Sequence, residues 1–144
     1  MDLHAALELV RPRHHGVLTT VRRNGRPQLS NIMYGLGADD VVRISVTDGR
    51  AKTRNLRRDD RASLYVPGDD FWAYVVVDGT VELSPVAADP DDDVVDELIA
   101  VYRHVSGTEH PDWDDYRRAM VSDRRLVIRL RPDHAYGMVP PAGT

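Results

Sequence analysis

Asn24-Gly25 constrains the fold of this chain more than any other dipeptide. It lies between two runs with strand character, HGVLTTVR (His15 to Arg22) and PQLSNIMY (Pro27 to Tyr34). Asn-Gly between such runs is the strongest local hairpin signal, because both central positions of a type I′ turn need positive φ. In the return run Gln28, Ser30, Ile32 and Tyr34 share one face, and Leu29, Asn31 and Met33 share the other. The same punctuation continues downstream. Val41 to Val46, Arg61 to Val66, Phe71 to Leu83 and Arg124 to Leu130 read as strands, and Asp133 to Met138 as a short extension. Gly35-Leu36-Gly37, Asp39-Asp40 and Pro67-Gly68-Asp69-Asp70 break the runs, and Asp78-Gly79 marks a bulge or bend.

Three segments carry helical periodicity. Leu3, Ala6, Leu7 and Val10 form one stripe behind Asp2, a plausible cap, with Pro12 as the stop. The acids of DPDDD precede a stripe of Val94, Leu98, Val101, Tyr102 and Val105, which Ser106-Gly107 ends. That acid cluster lacks the spacing and glycine of an EF-hand loop, so capping is its reading. Asp112 to Val121 is a third helix, with Trp113, Tyr116 and Met120 inward. Six or so strands in hairpin order, with helices clustered late, predict an α+β fold. It is mainly antiparallel: a closed or split barrel rather than a doubly wound parallel sheet. The 144 residues suffice for a single domain, 1–144, with the helix inside 1–12 and a loose tail at 139–144.

Several function classes fall away. A net charge of −4 argues against a nucleic-acid coat protein, and the absence of cysteine removes thiolate metal sites and a Cys nucleophile. The six histidines show no metal-ligand spacing, so no metal is expected. No G-x-S-x-G, Walker A or G-x-G-x-x-G sequence occurs. No apolar stretch reaches membrane-spanning length and MDLHAALELV has no signal-peptide layout, which makes the cytoplasm the expected location.

The chemistry-bearing stretch is TDGRAKTRNLRRDDR, Thr47 to Arg61. A strand ending in Asp48-Gly49 feeds a short helix beside Arg50, Lys52, Arg54, Arg57, Arg58 and Arg61. Free N–H groups, the positive end of the helix dipole and these cations together suit a phosphate or carboxylate. The competing reading is a solvated basic helix paired with Asp59, Asp60 and acids elsewhere. Polar strand residues (Gln28, Ser30, Asn31) and the aromatics Trp72 and Tyr74 complete an inventory suited to a planar cofactor with an anionic tail. Trp72 and Tyr74 equally suit core or dimer packing.

Four segments, GVLTTVRRNGRPQLSNIMY, DGRAKTRNLRRDDRASLYV, FWAYVVVDGTVEL and DWDDYRRAMVSDRRLVIRL, together resemble the flavin/deazaflavin oxidoreductase family. This is the FMN-binding split-barrel group related to pyridoxamine 5′-phosphate oxidase, and the likeness is greatest to its actinobacterial branch using the deazaflavin coenzyme F420. The resemblance implies a homodimer with cofactor sites at the subunit interface and a small conjugated acceptor as substrate. On matching positions, it implies that Arg50, Ala51, Lys52, Thr53 and Asn55 hold the phosphate and tail. Gln28, Ser30, Asn31 and Ser45 would lie along the ring and ribityl side, and Trp72 and Tyr74 would approach from the partner. The polyanionic tail of F420 fits a basic groove better than FMN's single phosphate requires. An FMN-dependent oxidase of the pyridoxamine-phosphate type and a non-catalytic binder of a planar cofactor are the alternatives. No side chain stands out as a general acid.

Overall fold

Asp2 starts the first helix, α1 (Leu3–Val10), by accepting a hydrogen bond from the Ala5 N–H at 3.1 Å. The computed structural model describes residues 1–139, so most of the tail expected at 139–144 lies outside the described residues. After α1 come β1 (His15–Val21), β2 (Pro27–Met33), β3 (Gly35–Leu36) and β4 (Val42–Thr47). The helix α2 (Ala51–Arg58) leads to β5 (Arg61–Pro67) and β6 (Tyr74–Leu83). Two further helices, α3 (Asp93–Ser106) and α4 (Trp113–Ser122), precede β7 (Arg125–Met138). Among the described residues the seven strands form one sheet in the order β2-β1-β5-β6-β7-β4-β3, with every neighbouring pair antiparallel. The sheet curls until β2 returns against β4. It is an α+β split barrel, as expected. Among the described residues no helix is long and apolar enough to cross a membrane.

Alternation along the strands fills the barrel. Leu18, Ile44, Val46, Leu64, Val77, Leu126, Ile128 and Leu130 point inward and are buried, and Ala6, Leu7 and Val10 of α1 pack against them. Each such side chain contributes about 1.5–3 kcal/mol by leaving water. A second cluster lies on the other face of β7, where Val127 meets Val94, Val95, Leu98 and Ile99 of α3 and Met120 of α4. Ion pairs fix α3 there. Glu97 accepts from Arg43 of β4 at 3.2 Å and from Arg129 of β7 at 2.9 Å.

Four local expectations need correction. The β1–β2 turn is not type I′, because Asn24 does not have positive φ and Gly25 alone does, at 84°. The Gly25 N–H bonds to the Arg22 carbonyl and the Arg22 N–H to the Arg26 carbonyl. This is a three-residue loop closed by a glycine bulge, with the Asn24 side chain accepting from the Arg26 N–H instead of its backbone turning left-handed. Phe71 and Trp72 lie in the turn before β6, because Asp70 accepts from the Trp72 N–H at 2.8 Å and delays the strand to Tyr74. Residues 124–130 and the extension form one strand. Its register slips opposite Asp78-Gly79, leaving Asp133 unpaired between Pro132 and His134. A Cβ on Gly79 would come within 2.1 Å of the Arg131 carbonyl oxygen, so the bulge needs glycine there. Finally Gly35-Leu36, read as a break, forms the two-residue β3 against Val42 and Arg43.

Tyr34 is fully buried and its hydroxyl donates to the Val10 carbonyl at 2.8 Å, tying the end of α1 to the barrel. Burial raises its phenol pKa well above the ordinary value. Tyr34→Phe removes this bond and leaves the carbonyl to the Arg13 N–H alone, which should cost about 0.5–1.5 kcal/mol in urea unfolding; an unchanged midpoint would show that the bond contributes nothing. Arg129 foremost holds the Glu97 carboxyl below its ordinary value of 4.5. A depressed folded-state pKa means the contribution is complete at neutral pH and fades as pH falls below that ordinary value. Glu97→Gln should therefore destabilise by about 1–3 kcal/mol at pH 7, with the gap to the parent closing in acid. A gap that stays constant with pH would assign the loss to packing.

Candidate functional site

β4 ends at Thr47, Asp48 and Gly49 turn the chain, and α2 begins one residue later behind Arg50. Arg50 sits at the N-cap in an extended conformation and makes no side-chain capping bond. A guanidinium has donors only, so it cannot accept from the first-turn N–H groups. Those groups and the positive end of the helix dipole are left without an acceptor from the cap. The other described helices start differently. Asp2, Asp92 and Asp112 each cap theirs with a carboxylate.

Residues behind this turn lock it to the sheet. The Thr53 hydroxyl donates to the Thr47 carbonyl at 2.8 Å and is fully buried. Asn55 donates to Thr20 Oγ1 at 3.1 Å and to Gln28 Oε1 at 2.9 Å, joining α2 to β1 and β2. Arg58 donates to the Asn55 side chain and to the Val21 carbonyl. Arg57 and Arg124 both pair with Asp48, and Arg61 pairs with Asp59. Much of the basic stretch is thus spent within the protein, as the solvated-helix reading held for those members. Arg50 and Lys52 are not; neither has an ion-pair partner among the described residues.

They face a cavity of about 660 Å³ at the split of the barrel. Asn31, Ile32 and Met33 of β2 form one side, and Ile44 to Thr47 of β4 the other. Val101, Tyr102 and Val105 of α3 and Tyr116 and Met120 of α4 contribute a largely apolar wall, and Arg125 opens β7 beside them. Among the described residues no carboxylate lines it. Burial first, then the nearby Arg50 and Arg125, push the Lys52 ammonium below its ordinary pKa. Burial pushes the Tyr116 hydroxyl up to about 12, against the opposing pull of Arg125. A concave, mostly apolar site with clustered unpaired cations fits a planar ligand with an anionic substituent.

The cavity brings together Asn31, Ser45, Arg50 and Lys52 of the residues singled out in the sequence, with Ala51 between the two cations. Gln28, Ser30, Thr53 and Asn55 do not line it. Gln28 and Ser30 lie on the opposite strand face from Asn31, paired with Thr20 and Leu18, and Gln28 is held by Asn55. Trp72 is 70% exposed at the tip of the β5–β6 turn, and Tyr74 stacks on Tyr65. Neither lines this cavity within the subunit. Arg125 was not singled out. Its signal lay in RRLVIRL, where Arg125 and Arg129 flank Val127 on one face of the strand while Leu126, Ile128 and Leu130 enter the core. An apolar Val127 between two cations indicates a covered outer face on which each guanidinium needs a partner.

Comparison with known proteins agrees with this geometry. Residues 3–138 match the family model described as pyridoxamine 5′-phosphate oxidase. Among solved structures, an F420 reductase is 27% identical, with a TM-score of 0.64 over 89% of this chain and 92% of that one. A FAD-binding protein from Mesorhizobium loti superposes with a TM-score of 0.67 at 17% identity, over 95% and 92% of the two chains. A heme-binding protein from Mycobacterium smegmatis gives 0.68 at 21% identity, covering 95% of this chain and 53% of that one. At these last two identities the likeness is one of fold. With its split barrel, its cavity at the split and a family match over nearly its whole length, the chain belongs to the pyridoxamine 5′-phosphate oxidase family of flavin and deazaflavin oxidoreductases.

Proposed function

We propose that this protein is a homodimeric oxidoreductase that uses coenzyme F420 to reduce a small conjugated acceptor. The observation that carries the cofactor assignment is the charge of the cavity. Arg50 and Lys52 meet there unpaired among the described residues, at the free N–H groups that open α2 and with no carboxylate among the described lining residues. A polyanionic tail offsets such a cluster more fully than one phosphate does. The 27% identity to an F420 reductase supports the same choice. FMN is the alternative, with oxidation of the pyridoxamine-phosphate type as its chemistry.

In this reading Arg50, Lys52 and the free N–H groups at the start of α2 hold the tail. Asn31 and Ser45 offer hydrogen bonds to the edge of a planar ring, and the wall of Tyr102, Val105 and Met120 keeps water from one side of it. Thr53 and Asn55 act one step back, by fixing the turn and orienting Gln28. When bound, the reduced deazaflavin supplies a hydride. The protein's own contribution is placement, and no side chain is assigned a proton.

Dimerisation has its own support. Leu29 and Met33 on β2 are 62% and 52% exposed, and Tyr65, Tyr136 and Met138 are exposed on the same outward side of the curled sheet. An apolar face of this kind suits a second copy of the chain. Phe71 and Trp72, edge to face at 4.9 Å, project beside it and would reach the partner's site.

Parallel titrations with F420 and FMN, followed by ligand fluorescence polarisation, test the cofactor assignment; stronger binding of F420 is expected, and stronger binding of FMN would replace it with the alternative. Arg50→Ala and Lys52→Ala should each weaken the preferred cofactor by about 1–3 kcal/mol, whereas full affinity in both variants would move the anion grip elsewhere. Trp72→Ala should shift the dimer toward monomer in analytical ultracentrifugation and weaken cofactor binding together. A dimer with unaltered affinity would limit Trp72 to packing.

A further inference from the structure

Arg125 and Arg129 stand four residues apart on the same outward face of β7, and the protein treats them oppositely. Arg129 is clasped by Glu97 and Glu82. Arg125 has no ion pair among the described residues; its one side-chain bond is a long one, 3.4 Å from Nη1 to the Ser45 hydroxyl. Its Nε is buried with no hydrogen-bond partner, and no other described side-chain nitrogen or oxygen shares that condition. Leaving a buried donor of a charged group unsatisfied costs stability. A residue kept only for the fold would be paired or apolar here.

The placement of Arg125 separates it from the tail grip. Its backbone pairs with Thr47, but its guanidinium runs back along β4 to Ser45, away from the Asp48-Gly49 turn and the start of α2. It is near enough to Lys52 and Tyr116 to pull down the pKa of both. On this side the cavity is walled by Tyr116, Met120 and Tyr102, a surface for a flat apolar body rather than for a flexible tail. A planar fork of donors beside such a wall suits an oxyanion carried by the flat body.

We propose that Arg125 determines substrate specificity: it binds a carboxylate or phosphate oxygen on the acceptor, so that the enzyme selects planar conjugated acceptors bearing an anionic group. The assignment of that ligand as an acceptor rests on the oxidoreductase reading above. The subsite itself does not, because an aromatic carboxylate should occupy it in the absence of any cofactor.

Arg125→Met keeps the length and packing of the side chain and removes its charge and its unpaired donor. In calorimetric titrations of the cofactor-free protein with benzoate and with benzamide, the parent should prefer benzoate. Arg125→Met should bind benzoate at least tenfold more weakly and benzamide equally well, and Arg125→Lys should recover part of the loss. The thermal midpoint of the ligand-free variant should equal or exceed the parent's. With cofactor bound, Arg125→Met should raise KM for a carboxylate-bearing acceptor and leave kcat, and the KM of its amide, nearly unchanged. Equal benzoate affinity in parent and variant, or an equal loss for benzamide, overturns the subsite. A loss of FMN or F420 affinity with riboflavin affinity preserved would mean that Arg125 reads the cofactor's tail, which overturns the acceptor assignment. Arg125-dependent benzoate binding in a protein that takes up neither flavin nor deazaflavin would sink the oxidoreductase reading while the subsite stands.

Discussion

The barrel does not close, and the rest of the molecule is arranged around that gap. β4 has β7 on one edge along its whole length, but on its other edge the two-residue β3 reaches only Val42 and Arg43. Ile44 to Thr47 therefore present an open strand edge, and β2, bonded only to β1, presents another. Open edges invite pairing with foreign strands unless something covers them. Here α3 and α4 lie over the gap from one side, and α2 begins at its end. Strand pairing too short to finish a barrel thus creates a lined cavity, with backbone groups and alternate side chains of two strands turned into it.

Charge is distributed to the same effect. The chain is net negative, yet its acids are committed away from the cavity. Asp2, Asp92 and Asp112 cap helices, Asp48 accepts from Arg57 and Arg124, and Glu97 joins Arg43 to Arg129. What remains at the split is positive. A low-dielectric slot carrying unneutralised cations attracts anions more strongly than the same cations on an open surface. The overall acidity of the protein also disfavours indiscriminate binding of nucleic acid, which leaves the slot as a selective rather than general anion site.

The fold was legible because its signals are local. Alternation in HGVLTTV and RLVIRL, capping aspartates and Gly107 each act within a few residues and each produced the expected element, and Asn24-Gly25 produced the hairpin though not its turn type. Where local signals failed, a side chain had substituted for the backbone. The Asn24 amide replaced a left-handed turn, and the Asp70 carboxylate delayed β6 past Trp72. The site was legible only in part for a different reason. Arg50 and Lys52 announce themselves by following a turn, but whether a neighbouring arginine is free or paired depends on contacts across the sheet. Arg57 and Arg125 read alike in the sequence; the first finds Asp48 and the second finds no acid among the described residues. Likewise Asn55 lies in the basic stretch yet faces Thr20 and Gln28, because helical spacing turns it to the barrel.

The free cations also carry a cost, which argues for their role. Burial and two like charges already depress the Lys52 pKa, so the cluster works against the ligand-free state. Nothing in the packing demands it. A carboxylate placed among these residues would relieve the repulsion, as Glu97 does for Arg43 and Arg129 only a strand away. Keeping the slot free of acids preserves repulsion that an incoming anion removes. Relief of that repulsion is a binding contribution available to anions alone, since a neutral ligand of the same shape would leave the three cations as they were. Selectivity in this slot therefore comes from what the protein withholds as much as from the donors it presents.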